Sequence, residues 1–484
     1  MIKFFPSQYL FLLVLIMPIF LLACLNPSTE AERLEIERIQ PYPDNPYYWQ
    51  YKGEPLFLIG GSWQDNLFNH PVGLDEHLDL LVSVGGNYVR NVMSHRNEGN
   101  VYPYQRDDEG NFDLDKFNEE YWQRFEDFLE MTYERDIIVQ MEIWDPWDLH
   151  ADHQSFGGWS FHPFNPANTI TYTPEESGLP TEIDYDPQYN PTAHPFWQSV
   201  PELQNNDLLL RYQKRYVDKI LSYSLAYPHV LYCMNNETGE KVQWGDFWTD
   251  YVRKKSEEAG VRIEITDMRR NPNIRSGDHA HIYNNPDRYF YLEISQNNSR
   301  VSGQIHYDNI LYIRDRISSH PMPLNNTKIY GSTEESIARM GRILFSGSSS
   351  ARFHRPHPLD GPEAHEAKSS FGLGLSPRAQ TIIQSLRMVT EALKLERMEP
   401  QNELLGSREE NEAYLLAEQG VQYALYYPDG GSVTVDLSGN NDYRYRWINL
   451  DQGKWGEWNE TAAGDDVQFT TPGSGHWSLI IIKV

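Results

Sequence analysis

Hydrophobic and polar positions follow one alternation for about 400 residues and then change. Phe117, Tyr121, Phe125, Phe128, Leu129 and Thr132 recur at helical spacing, which predicts a helix over residues 115–133 with one buried face. Short apolar runs bounded by turn residues lie between such helices, at 87–93, 137–145 and 230–237. Continuous apolar runs of this length read as strands of a parallel sheet covered on both faces. The first such strand, ending at Gly60, is entered through a hairpin over residues 47–60. Further strands are predicted at 261–267, 289–296, 328–331 and 350–356. Helices are predicted at 74–84, 207–227, 308–317, 337–345 and 377–395, the last opened by Ser376 at the cap and Pro377 at the first helical position. Eight strands alternating with helices predict a (β/α)8 barrel over residues 45–399.

From residue 400 the helical spacing gives way to short alternating runs, such as Gln422 to Tyr427 and Ser432 to Val435. Residues 400–484 are therefore expected to form a small antiparallel β-sandwich, with Pro428-Asp429-Gly430-Gly431 as a tight hairpin turn. Residues 146–205 break the barrel rhythm. A segment this long inside a compact domain is usually functional. Its Trp147, Trp159, Phe164, Tyr185 and Trp197 are expected to offer sugar-stacking surface over the active face, the alternative being a loop packed on itself.

Composition narrows the setting. The 484 residues suffice for one large barrel and a smaller module, and 39% hydrophobic residues can fill both cores. A formal net charge of −28 repels a phosphate backbone, so nucleic acid is excluded as a general partner. The first 24 residues carry Lys3, an apolar segment over 9–22 broken by Pro18, and Leu21-Leu22-Ala23-Cys24, which resembles the bacterial lipobox. Residues 1–24 are thus expected to be a lipoprotein signal peptide, with Cys24 lipidated and 25–44 forming a tether to the cell envelope.

Chemistry in a parallel barrel sits where strands end at the carboxyl face. The run Val230 to Met234 stops there at Asn235-Asn236-Glu237, a carboxylate beside an amide, suited to proton transfer at a glycosidic oxygen. Other strand ends supply Trp63, Asp65, Arg90, Trp144, Asp145, Gln296, Tyr330, Arg352 and His354, and His306 follows the sixth strand. Asp65, Asp145, Gln296 and His306 are candidates to grip hydroxyls, and Trp144, Trp147 and Tyr330 to bury the acid. Arg352-Phe353-His354-Arg355 is a local cationic cluster suited to a carboxylate or sulfate, or else to nearby Asp and Glu. His150, Asp152 and His153, and likewise Asp278, His279 and His281, have suggestive spacing but no third partner close in sequence. No catalytic metal is expected; Asp184 and Asp186 could contribute only to a structural calcium site. No glycine-rich phosphate loop opens a helix, so no cofactor is expected.

Three stretches carry a resemblance: Phe57 to Trp63, Met234-Asn235-Asn236-Glu237, and Tyr414-Leu415-Leu416 with Tyr426 to Gly431. With the barrel pattern they resemble a clan A glycoside hydrolase, more closely the apiosidase-like (family 140-like) barrels that end in a module named for collagen binding. That label implies no collagen binding here. The resemblance implies a retaining glycoside hydrolase acting on a plant or algal polysaccharide, with Glu237 as general acid/base. It also implies Asn236 on the sugar hydroxyl beside the anomeric carbon and Arg90 holding the nucleophile ionised. The nucleophile is expected at the end of strand seven, where Glu334 stands; Glu142 and Glu293 remain alternatives. Ser332-Thr333-Glu334-Glu335 also reads as a capping box. A non-catalytic glycan-binding barrel and a lyase acting on uronate polymers are the competing functions.

Overall fold

The computed structural model describes residues 37–484 except 71, 97–98, 150–157, 186–193, 357–373, 438 and 440. Cys24, the signal segment, His150, Asp152, His153 and Asp186 lie outside the described residues.

Among the described residues, nine short strands make the parallel part: β1 Leu58–Ser62, β2 Tyr88–Val92, β3 Ile138–Trp144, β4 Val230–Asn235, β5 Glu264–Thr266, β6 Leu292–Glu293, β7 Leu324–Asn325, β8 Ile329–Tyr330 and β9 Ser350–His354. Seven form one parallel sheet in the order β5-β4-β3-β2-β1-β9-β8, and β6 pairs with β7. Single backbone bonds reach across the two gaps, from Phe290 N to Ile265 O (2.9 Å) and from Ser349 N to Leu324 O (3.0 Å). The strand predicted at 328–331 is β8, and β7, which was not predicted, precedes it across Asn326 to Lys328.

Alternation along each strand sorts the two faces. Val139, Met141 and Ile143 of β3 join the large apolar core under the helices. Gln140 and Glu142, on the other parity, turn to polar partners. Beside the first polar rung, Ile39, Trp49, Leu58, Ile138 and Leu231 form a separate apolar cluster at the strand starts. Trp49 belongs to a hairpin, Trp49–Tyr51 with Glu54–Leu56, turned by Lys52 and Gly53, both at positive φ as a two-residue primed turn requires. With the strand starts covered by this cluster, the site is built at the strand ends.

The helix predicted over 115–133 begins later, as Glu119–Glu134 capped by Asn118. Residues Phe112–Phe117 form a strand paired with Tyr104–Arg106, because Phe112 and Leu114 alternate into the core ahead of the cap. A helix not read from the sequence, Val242–Glu258, follows β4. In the long segment after β3, Trp159, Phe164, Phe196 and Trp197 are buried. Rings of Phe196, Trp197, Trp144, Trp244 and Trp248 pack edge-on or tilted at 4.9–6.0 Å. Those aromatics fill a core, so the self-packed alternative holds for them and the stacking surface does not.

The C-terminal unit has two antiparallel sheets. The larger runs Glu399–Pro400, β10 Tyr414–Glu418, β11 Gln422–Tyr427, β17 Trp477–Lys483, β13 Asp442–Asn449, β14 Lys454–Trp455, with β15 Asn459–Ala462 also on β13. The smaller is Leu405–Gly406, β12 Ser432–Val435 and β16 Val467–Thr470. Leu415, Tyr423, Leu425, Leu479 and Ile481 face the smaller sheet, sharing a core with Val433, Val435 and Phe469. Tyr414, Leu416, Ala424, Tyr426 and Ile480, on the other parity, join the barrel core. Pro428 to Gly431 is no hairpin turn. It carries the chain from β11 in one sheet to β12 in the other, with no pairing between them. Tyr426 lies so close to Gly341 of helix Glu334–Phe345 that a Cβ there would stand 2.3 Å from its ring.

Candidate active site

Inward-facing residues of successive rungs build a polar column. Tyr88 donates to Gln140 (2.7 Å), and Gln140 donates to Glu293 (3.0 Å). One rung up, Arg90 holds Glu142 through two contacts of 2.7 Å and donates to Asp65 at 2.8 Å. Arg352 donates to Thr327 O (2.7 Å) and to the Ser62 hydroxyl, tying three strand ends together. Charges this deep persist only when paired, as Arg90 is, or hydrogen-bonded, as Arg352 is.

Glu237 tops the column. Its backbone adopts φ 53°, a left-handed conformation that a non-glycine residue holds only when its surroundings enforce it. That turn swings the carboxylate off the line of β4. Oε1 receives Lys328 Nζ at 2.8 Å and Gln296 Nε2 at 3.0 Å. Lys328, 4% exposed, also donates to Asn236 Oδ1, while Asn236 Nδ2 donates to Asp145 Oδ1 at 2.9 Å. The Glu237 side chain is 13% exposed, so the rim reaches it. Burial by itself would raise its pKa. The Lys328 ammonium, its hydrogen bond and that of Gln296 outweigh burial and bring it down to about 2. The raised pKa required of a resting proton donor is therefore absent. Lys328 responds in the opposite sense, since burial lowers it despite Glu237. The pair is therefore worth less than Glu237's displacement taken alone.

Beside it, Asp65 gathers Arg90 (2.8 Å), Arg96 (2.7 Å) and Arg355 (2.9 Å). Burial opposes its charge, but Arg355, Arg96 and Arg90 hold it well below the usual carboxylate range. Arg96 also contacts Asp145 and, at 3.3 Å, Asp148. Arg355 shares the left-handed backbone, at φ 55°. Tyr330, 40% exposed, sets its ring 4.6 Å from that of His354. Burial and then Arg355 keep His354 well below the ordinary histidine range, so it is neutral.

The expected residues divide accordingly. Asn236, Arg90, Asp65, Asp145, Gln296, Tyr330 and His354 converge with Glu237. Asp65 and Asp145 are occupied by arginines rather than left for hydroxyls. Trp63 is buried at the end of β1, and Trp144 is buried in the aromatic core. His306 is buried in helix Gly303–Arg316 on Asn298 (2.9 Å), a structural contact. Arg352 binds neutral oxygens inside the barrel and is not offered to an anion. Glu293 is buried on Ser295, Gln140 and Thr327, and burial raises its pKa.

Glu334 does not join the site. It opens helix Glu334–Phe345, its side chain is 74% exposed, and it pairs with Arg378 and, at 2.9 Å, with His476 of the C-terminal unit. The cap is Thr333, one residue later than expected, and it accepts from Ser336 N; with a serine in that third position the expected box does not form. Sequence reasoning overlooked Lys328 and Arg96. Lys328 shares the parity of Tyr330 in the seventh strand, and that alternation was the available signal. Arg96 lies in a connection beyond β2 and carried none. Among the described residues no group of three metal-ligating side chains occurs. His279 and His281 contact Asn271 O (2.7 Å) and Asp246 (2.8 Å).

No protein-family model matches the chain, and no curated protein does. Solved structures do. A glycoside hydrolase family 5 protein from Bacteroides vulgatus ATCC 8482 is 12% identical, covers 93% of both chains and gives a TM-score of 0.61. A structure described as a glycoside hydrolase is 11% identical over 93% of this chain and 98% of that one, TM-score 0.62. The chain thus shares the TIM-barrel-like α/β fold of these two proteins. Such coverage leaves too few residues out to omit the C-terminal unit.

Proposed function

We propose that the protein is a glycoside hydrolase, on a closed (β/α)8 barrel of the apiosidase-like kind, cleaving a plant or algal polysaccharide or its oligosaccharides with retention. The observation that carries this is Glu237, held in a left-handed turn at the end of β4 and open to the rim beside Asn236 and Gln296. Glycoside hydrolysis uses one protonated and one ionised carboxyl group. With a pKa of about 2, Glu237 would need roughly 7 kcal/mol to carry a proton at pH 7. It therefore fits the ionised member, attacking the anomeric carbon, better than the resting proton donor. Lys328 keeps it ionised, and in this reading Asn236, which links Lys328 to Asp145, takes the neighbouring hydroxyl when sugar binds.

Glu237→Gln tests this on purified protein offered plant and algal polysaccharides, with product anomers followed by NMR. Turnover should fall by at least about a thousandfold with the fold intact; persistent turnover would sink the assignment. A second reading, a glycan-binding barrel without catalysis, is favoured by the pairing of Asp65, Glu142 and Asp145 with arginines. It predicts glycan binding by the wild type with no products at all. The lyase reading loses its motive, because Arg352 and His354 are engaged inside the barrel. Envelope anchoring through Cys24 belongs to the same proposal, and Cys24→Ala should release the protein from membranes.

A further inference from the structure

The C-terminal unit carries a second polar-aromatic surface, apart from the strand-end rim. Along β13, Tyr443 and Trp447 face the inter-sheet core, while Ile448 faces the barrel. Arg444 and Arg446 share the parity of Ile448 and continue its face beyond the docked area. Their Cα atoms lie roughly 7 Å apart along the strand. Trp455 of β14 stands opposite Ile448 in register, on the same face. The Arg446 guanidinium lies 3.9 Å from the Trp455 ring and 4.5 Å from that of Trp458, and Arg444 lies 4.5 Å from Trp458. Trp458 is 38% exposed.

Stacking explains why these arginines are ordered. It does not explain why two like charges share one face without a counter-ion. Glu460 stands opposite Arg444 in register, yet no ion pair joins them among the described residues. Arg446 Nε is buried and makes no hydrogen bond. Burial, and after it the repulsion of Arg444, lower the Arg446 pKa. Neither guanidinium is paired with a carboxylate among the described residues, in a chain of net charge −28. Each has its planar face on an indole and keeps N–H donors for an oxyanion. An exposed indole beside them offers an apolar face to a sugar ring.

We propose that Arg444, Arg446, Trp455 and Trp458 form a binding site for an acidic polysaccharide, its carboxylate or sulfate groups on the guanidiniums and a sugar ring on Trp458. The site stands whether or not the barrel hydrolyses anything.

The test is affinity electrophoresis and tryptophan-fluorescence titration of the full chain with polygalacturonate, dextran sulfate and neutral dextran. One or both anionic polymers should bind, and dextran should not. Which one binds tells carboxylate from sulfate. Arg446→Gln and Trp458→Ala should each weaken binding about tenfold or more, the worth of a hydrogen bond to a charged group. Rising salt should weaken binding by the wild type. Glu237→Gln should bind as the wild type does, separating this surface from the barrel rim. An unchanged thermal midpoint in Trp458→Ala, an exposed position, guards against unfolding as the cause. Equal affinity of variants and wild type, equal affinity for dextran, or no binding of either anion would overturn the proposal.

Discussion

Replacing Lys328 by methionine removes the ammonium 2.8 Å from Glu237 while keeping its apolar stem. Glu237 stands at about 2 against an ordinary 4.5, a displacement worth ~3 kcal/mol. Lys328 is itself lowered by burial, so the pair's net worth lies below that figure. In the variant burial is opposed only by Gln296 and by Arg90 at longer range, and Glu237 should rise above 4.5. The pH dependence of stability then changes sign. In the wild type Glu237 contributes stability above pH 4.5 that is lost as pH falls towards 2. In Lys328→Met its contribution is present below pH 4.5 and is lost as pH rises through the new value. The stability gap between the two proteins, from urea unfolding at pH 4, 5, 6 and 7, should widen with pH. Glu237→Gln in the same background should close it, with a coupling of about 1–3 kcal/mol in the double-mutant cycle. A gap independent of pH, or strictly additive single effects, would refute the ion pair as the source of Glu237's ionisation.

Gly341→Ala should destabilise the chain by about 1–3 kcal/mol in urea unfolding, because its Cβ meets the Tyr426 ring; a neutral effect would contradict that packing. Glu334→Gln should cost below about 1 kcal/mol and leave turnover unchanged, since an exposed pair is worth little; a large loss of turnover would restore it to the chemistry. Glu240 is buried, neither of its carboxyl oxygens has a hydrogen-bond partner among the described residues, and burial raises its pKa to about 8. Its stabilising effect is therefore present below pH 4.5 and lost as pH rises through 8. Glu240→Gln should flatten that decline in thermal midpoint, and an unaltered slope would rule it out.

Local residue pattern was enough to show the parallel α/β alternation, the change to antiparallel strands after residue 400 and the placing of Asn236 and Glu237 at a strand end. Those features rest on local periodicity: apolar runs between amphipathic helices, and a run that stops at a carboxylate. Ser376 at the cap of Pro377–Glu391 was legible for the same reason, because a cap needs only its own turn. The tertiary structure alone decided what each charge meets. Lys328 and Glu237 lie 91 residues apart in sequence, and Arg90 reaches Asp65 and Glu142 from a third strand. Only the packing of the strand ends around one column sets those distances, and with them which acid is ionised. The same holds for Glu334, which looked catalytic at a strand-to-helix junction. The side on which its helix starts, and the docking of His476 beside it, turned it to the outer surface. Tyr426 was likewise legible as a strand residue, but only packing showed that its face belongs to the barrel. Periodicity tells which residues are buried; it carries no information about which distant element buries them.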